Sequence, residues 1–307
     1  EGLSNDDDVT LTYGGRLKVK SVTATTDAAT AGPTYNERKS INDGPVTVAA
    51  GEHWLITGTG TQTSNTITIA DGATVTLYGV NISSSSYCIK CAGDATIILK
   101  DGSTNTLTGT GNSYPALSIG DANTTLTIQG ATGVLNVTSG DYCAGIGGGY
   151  WNTNKTCGNI RIEGGVITAQ GGEGGSGIVS DFGKATCGYI IITGGTITAK
   201  GGGQAAGIGT GYSDGSDQNV CGVITIANTV TKVTATKGAE APYSIGKGYG
   251  GNATCGTIII GCTLDTNGNP VGGTKYWENN AAVDDDAAAY LAQAEIVYPE
   301  LVTLATP

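Results

Sequence analysis

The sequence predicts an all-β protein: a right-handed single-stranded parallel β-helix, three strands per coil, with terminal caps. Three observations carry that prediction. The 307 residues include 52 Gly, no Met, one Phe and only 13% charged side chains, and runs of Thr, Ile and Val end in Gly, Asn or Asp, which argues for many short strands. A Cys-Gly unit recurs at Cys157, Cys187, Cys221 and Cys255, at spacings of 30, 34 and 34 residues, and self-similarity at such a period marks a stacked-repeat architecture. No helix-length segment separates the strand-like runs inside a repeat.

Each repeat yields three elements. The first follows Cys-Gly, with Ile at the third and fifth positions: Ile160 and Ile162, Ile190 and Ile192, Ile224 and Ile226, Ile258 and Ile260. The residue between them is Arg161, Ile191, Thr225 or Ile259, an alternation that puts the Ile pairs on one face. The second element, "VITAQ" from Val166, "TITAK" from Thr196 and "KVTAT" from Lys232, follows a Gly pair in the first two cases. The third is a small-residue run whose fourth position is Ile: Ile119, Ile146, Ile178, Ile208 and Ile245. Gly pairs suit the corners, where a sharp bend needs the positive φ that glycine adopts readily. Stacked Ile would form the core, at about 1.5–3 kcal/mol per buried side chain.

Looser repeats extend toward the N-terminus. "ATVTLYGVNISSSSYCIK" from Ala73, "ATIILKDGSTNTLTG" from Ala95 and "TTLTIQGATGVLNVTSG" from Thr124 read as earlier coils, and "PVTVAAGEHWLITGTG" as a starting coil. The expected division is residues 1–44 as acidic tether and N-terminal cap, 45–262 as the β-helix and 263–307 as the C-terminal cap. A short helix followed by a β run is expected within 283–299, Asp-rich at its start and Ala-rich after. The opening "EGLSNDDDVT" reads as a solvated tether of a mature or trimmed chain.

The segment "GEHWLITGTGTQTSNTITIADGATVTLYGVNISSSSYCIKCAGDATIILKDGSTNTLTG", residues 51–109, resembles the right-handed β-helix proteins described as carbohydrate-binding domain-containing. The correspondence rests on "WLITG" at Trp54, "LYGVNI" at Leu77 and "STNTL" at Ser103. The later "AGIGGG" and "GGTITAKGG" units are similar to repeats of bacterial surface proteins of adhesin type. The resemblance implies an exported, non-catalytic β-helix that binds polysaccharide, acidic plant polymers with bound calcium in one characterised branch.

Composition narrows the chemistry. A net charge of −11 argues against a nucleic-acid partner, and no run of eighteen apolar residues exists to span a membrane. His53 is the only histidine, which removes most histidine catalysis and most zinc sites. Acidic residues scatter into turns, at Asp71, Asp94, Asp101, Asp121 and Asp141, without the paired carboxylates of a glycosidase. "SDGSD" would hold calcium through Asp214 and Asp217 or remain a solvated loop. The Cys ladder is compatible with buried thiols or with disulfides between neighbouring coils, and Cys88 and Cys91 form one CxxC without a second pair.

The most suggestive constellation lies four residues beyond each ladder Ile: Tyr150, Phe182, Tyr212 and Tyr249, with Trp151 beside the first. Coil stacking would align them about 5 Å apart, either as a platform for a sugar chain or as packing of the loops on the helix body. The expected function is a monomeric, surface or extracellular β-helix, a lipid-anchored outer-membrane protein among its forms, that binds polysaccharide or a cell-surface glycan or mediates adhesion. No cofactor is expected, calcium being the one candidate. The alternatives are a polysaccharide lyase or hydrolase and a structural spacer.

Overall fold

The computed structural model describes residues 33–121, 123–149, 156–214 and 218–299. The chain winds as a parallel β-helix with three long faces. One face is eight-stranded, running from Val46–Val48 through Ile146–Gly147 to Ile245–Gly246. The second carries the isoleucine strands, and the third holds Asn81–Ser84 through Lys232–Thr236. Each strand pairs in parallel with its counterpart one coil away, so equivalent residues stack. Ile160, Ile190, Ile224 and Ile258 are successive register partners, as are Ile162, Ile192, Ile226 and Ile260. All eight are buried, and they merge with the Ile, Leu and Val of the other faces into one continuous core.

Three details depart from the expected coil. The C-terminal coils carry a fourth, short sheet, in which Thr156–Cys157, Thr186–Cys187, Asn219–Cys221 and Ala253–Cys255 pair in parallel. Cys and the Ile pair therefore belong to different strands, broken at the intervening glycine. Gly188 and Gly222 show why: a Cβ there would collide with Asn159 and with the Gly188 backbone of the preceding coil. Second, Leu117, not Ile119, is the partner of Ile146. A slip of two residues keeps inward side chains inward, so Ile119 is still buried; this strand matches "ITI" and "IKC" of the earlier coils rather than the "IG" of the later ones. Third, pairing begins before residue 45, because Glu37–Ser40 lies parallel to His53–Thr57 on the isoleucine face.

The C-terminal cap covers the strand edges that an open helix end would expose. Thr274–Glu278 runs antiparallel along Ile258–Leu264, and Glu295–Tyr298 antiparallel along Lys232–Thr236. Between them lies the helix Asp285–Leu291, whose N-cap Asp284 accepts a bond from the Ala287 N–H at 2.7 Å. Buried Trp277 anchors the cap, its indole N–H donating to the Cys255 carbonyl at 3.1 Å. Among the described residues no helix is long and apolar enough to cross a membrane.

Candidate functional site

In the C-terminal coils the loops that leave the small-residue face lie against the Gly-rich turns that lead into it. Tyr212 N–H donates to the Gly174 carbonyl and Tyr249 N–H to the Gln204 carbonyl, both at 2.8 Å. The loops are also zipped to one another by backbone bonds. Gly183 N–H donates to the Tyr212 carbonyl at 2.8 Å, and Ser213 N–H to the Tyr249 carbonyl at 2.9 Å. This zipper holds the aromatic side chains in line. Phe182 and Tyr212 stack with centroids 4.7 Å apart and planes at 28°, and Tyr212 and Tyr249 with centroids 6.0 Å apart and planes at 8°. Three of the five residues singled out in the sequence are thus brought together as a row. Tyr150 and Trp151 lie outside the described residues.

Tyr142 joins the row edge-on to Phe182 at 4.9 Å, with Phe182 N–H donating to the Tyr142 carbonyl at 3.2 Å. Sequence reasoning missed it because it sits four residues before a ladder Ile, Ile146, rather than four after. The rings stack along the helix axis, so the faces between neighbours are occupied by each other. What the row offers to solvent is ring edges, tyrosine hydroxyls and its terminal member, Tyr249, which is 48% exposed. Parallel stacking is a favoured aromatic geometry, worth about 0.5–1.5 kcal/mol beyond buried area, and it fixes the terminal ring before any ligand arrives.

A second exposed ring lies on the N-terminal coils. Tyr78, 46% exposed, walls a groove of about 290 Å³ floored by Gly58, Gly79 and Gly102. The Lys100 ammonium sits 5.2 Å from its ring centroid, a cation–π distance. Gly79 has φ +70°, and a Cβ on Gly58 would run into the Gly79 carbonyl, so the groove stays open because its floor has no side chains.

The turn carboxylates are engaged in structure. Asp71 Oδ1 accepts from Asp94 N–H at 2.9 Å, and Asp94 Oδ1 from Thr125 N–H at 2.7 Å. Asp101 accepts from the Thr132 N–H at 2.7 Å and from the Thr132 hydroxyl, and these bonds hold its carboxyl below the usual aspartate range. Arg161 and Gln129 donate to Glu163; burial, the largest single influence, raises its pKa, but these bonds and the Arg161 charge together bring it below the ordinary glutamate value. His53 bonds the Thr76 hydroxyl at 2.9 Å and meets the Tyr35 ring edge-on, and burial lowers its pKa. Among the described residues no three His, Cys, Asp or Glu gather as metal ligands. Of the calcium candidates, Asp214 is described and Asp217 is not.

One cysteine pair is bridged, and Cys88, Cys91, Cys143, Cys221, Cys255 and Cys262 are buried free thiols. Cys157 and Cys187 form a disulfide with Cα atoms 4.5 Å apart. Cys88 and Cys91 are buried thiols of the core, pushed up to about 11 and about 12 by desolvation, and the Cys88 thiol donates to the Thr108 carbonyl at 3.4 Å.

Compared with protein-family models, with curated proteins and with solved structures, the chain has no match.

Proposed function

We propose that this chain is an exported, non-catalytic β-helix that binds polysaccharide at a cell surface as a monomer, with Tyr249 as the leading contact. The observation that carries the reading is the terminal position of Tyr249, half-exposed and held at 8° to Tyr212. A pyranose presents an apolar C–H face, and a ring already fixed by the stack beneath it needs little further ordering to receive that face. Phe182 and Tyr212 then act as supports, and tyrosine hydroxyls along the row supply hydrogen bonds to sugar hydroxyls. The Tyr78 groove is a second point of contact of the same character. Export is supported by the Cys157–Cys187 bridge, since disulfides persist in oxidising compartments. The resemblance of residues 51–109 to carbohydrate-binding β-helices points the same way.

A glycan array with and without calcium identifies the ligand, and retention on the immobilised polysaccharide then measures the variants. Tyr249→Ala is expected to weaken retention about tenfold while the melting temperature falls by no more than a few degrees, the loss of one ring stack. Retention equal to the parent protein returns the aromatic row to loop packing. Release of reducing ends or unsaturated products from the bound glycan overturns the non-catalytic reading.

A further inference from the structure

Cys221 and Cys255 stand to each other as Cys157 stands to Cys187. Both pairs belong to the short fourth sheet, and both are parallel register partners in adjacent coils. Asn219–Cys221 and Ala253–Cys255 pair over three consecutive residues, ending at Cys221 opposite Cys255. The neighbouring ladder, Ile224 on Ile258 and Ile226 on Ile260, pins that register. Both are buried free thiols in this structure, and the Cys255 thiol donates to the Gly222 carbonyl, beside Cys221, at 3.9 Å. Adjacent strands lie about 4.8 Å apart, inside the Cα range of about 4.4–6.8 Å that a disulfide spans.

We infer that Cys221 and Cys255 form a second disulfide rung of this ladder, so that the mature protein carries two stapled coil pairs. The pairing follows from position. Linking Cys187 to Cys221 would leave Cys157 and Cys255 at opposite ends of the ladder, three coil steps apart and beyond bridging distance. Between the strands Thr186–Cys187 and Asn219–Cys221 the register is held at Thr186 and Val220, and the bridge on Cys187 already occupies its sulfur.

Bond formation consumes one incoming disulfide, from a thiol oxidoreductase or glutathione disulfide. One cysteine thiolate attacks it and releases a thiol; the partner thiolate then attacks the mixed disulfide and releases the second. Two protons and two electrons pass from the cysteine pair to the reagent, and the S–S bond forms. The neighbouring Cys255 thiol and burial hold the Cys221 thiol well above its ordinary pKa, so thiolate is scarce in the closed coils.

The test is oxidative refolding of the full chain. Reduced, unfolded protein is refolded in glutathione and glutathione disulfide, unfolded again with iodoacetamide, and mapped by non-reducing mass spectrometry. Lys232, Lys237 and Lys247 place the two cysteines in different tryptic peptides. The expected result is a cross-linked peptide pair holding Cys221 and Cys255, with two hydrogens lost for that bond and two for Cys157–Cys187. The C157S/C187S double variant is expected to keep the Cys221–Cys255 link, and Cys255→Ser to leave Cys221 fully alkylated. Alkyl groups on both Cys221 and Cys255 in the refolded parent protein, or a Cys187–Cys221 link, overturn the inference. The readout contains no polysaccharide, so it stands or falls separately from the glycan-binding proposal.

Discussion

The first four coils and the last four build the same helix by different corner chemistry. In the N-terminal coils, side chains reach across to the next coil and bond its backbone. Asp71 and Asp94 bind corner N–H groups one coil on, Asp101 binds the turn at Thr132, and buried Asn105 joins three coils at once. The Asn105 amide accepts from the Val80 N–H at 3.0 Å and donates to the Val134 carbonyl at 3.2 Å. Positive-φ glycines turn the chain in both halves, beside the capping aspartates at Gly72 and Gly102 and within Gly pairs at Gly165 and Gly195. Gly165 and Gly195, with φ of +91° and +86°, let the backbone turn without a capping side chain. In the C-terminal coils the loops lengthen, add the cysteine sheet and carry the aromatic row. Asp-Gly corners tied by a carboxylate go with the short coils, and Gly-pair corners with the coils whose loops grow a surface.

That contrast can be broken at the core first. Ile192→Ala, in a fully buried ladder between Ile162 and Ile226, is expected to cost about 2–5 kcal/mol. Hydrogen exchange resolved by coil should place the loss in the C-terminal coils, because stability in stacked repeats is local and nearest-neighbour. Asn105→Ala should follow, at about 1–3 kcal/mol, since it leaves buried backbone groups of the adjacent coils without their bonds. The loosening then appears from Val80 to Val134. A uniform response of the whole chain to either substitution would remove the distinction between the two halves.

Acid offers a gentler probe. The Asp101 carboxyl has a folded pKa below its unfolded value, so its contribution is complete above the ordinary aspartate pKa of about 4 and is lost as pH falls through the folded value. Exchange at the 131–134 turn should rise in that acid range. Asp101→Asn should abolish the pH dependence there while the Gly165 and Gly195 corners stay indifferent. The smallest expected effect is at Val179, a β-branched residue at φ +115° where the equivalent Gly147, Gly209 and Gly246 also have positive φ. Val179→Gly relieves backbone strain of about 1–3 kcal/mol and loses a buried side chain worth about 1.5–3 kcal/mol. Urea unfolding is expected to move by about 1 kcal/mol or less.

Much of the scaffold was legible because a repeat leaves its period in the chain. The Cys-Gly spacing, the inward Ile pairs and the run from Val283 to Pro299 correspond to observed strands, register and a capped helix. The slip at Leu117 was not legible, since a two-residue shift preserves the hydrophobic pattern that a sequence reader follows. Asn105 was visible only as part of "STNTL"; its three-coil bonding depends on partners 25 and 29 residues away. Among the aromatic residues, alignment was readable and ring orientation was not. Spacing puts Phe182, Tyr212 and Tyr249 in one column, but the angle between rings is set by loops zipped through their backbones.

The amino-acid order alone determined that this chain coils in parallel, because alternating Ile between Gly-rich bends can bury its apolar side only by stacking on copies of itself. Tertiary structure decided which cysteines bridge, which acids cap and which aromatic faces remain open. Those outcomes depend on distances between coils, and a period of 30 to 34 residues fixes who meets whom without fixing at what angle.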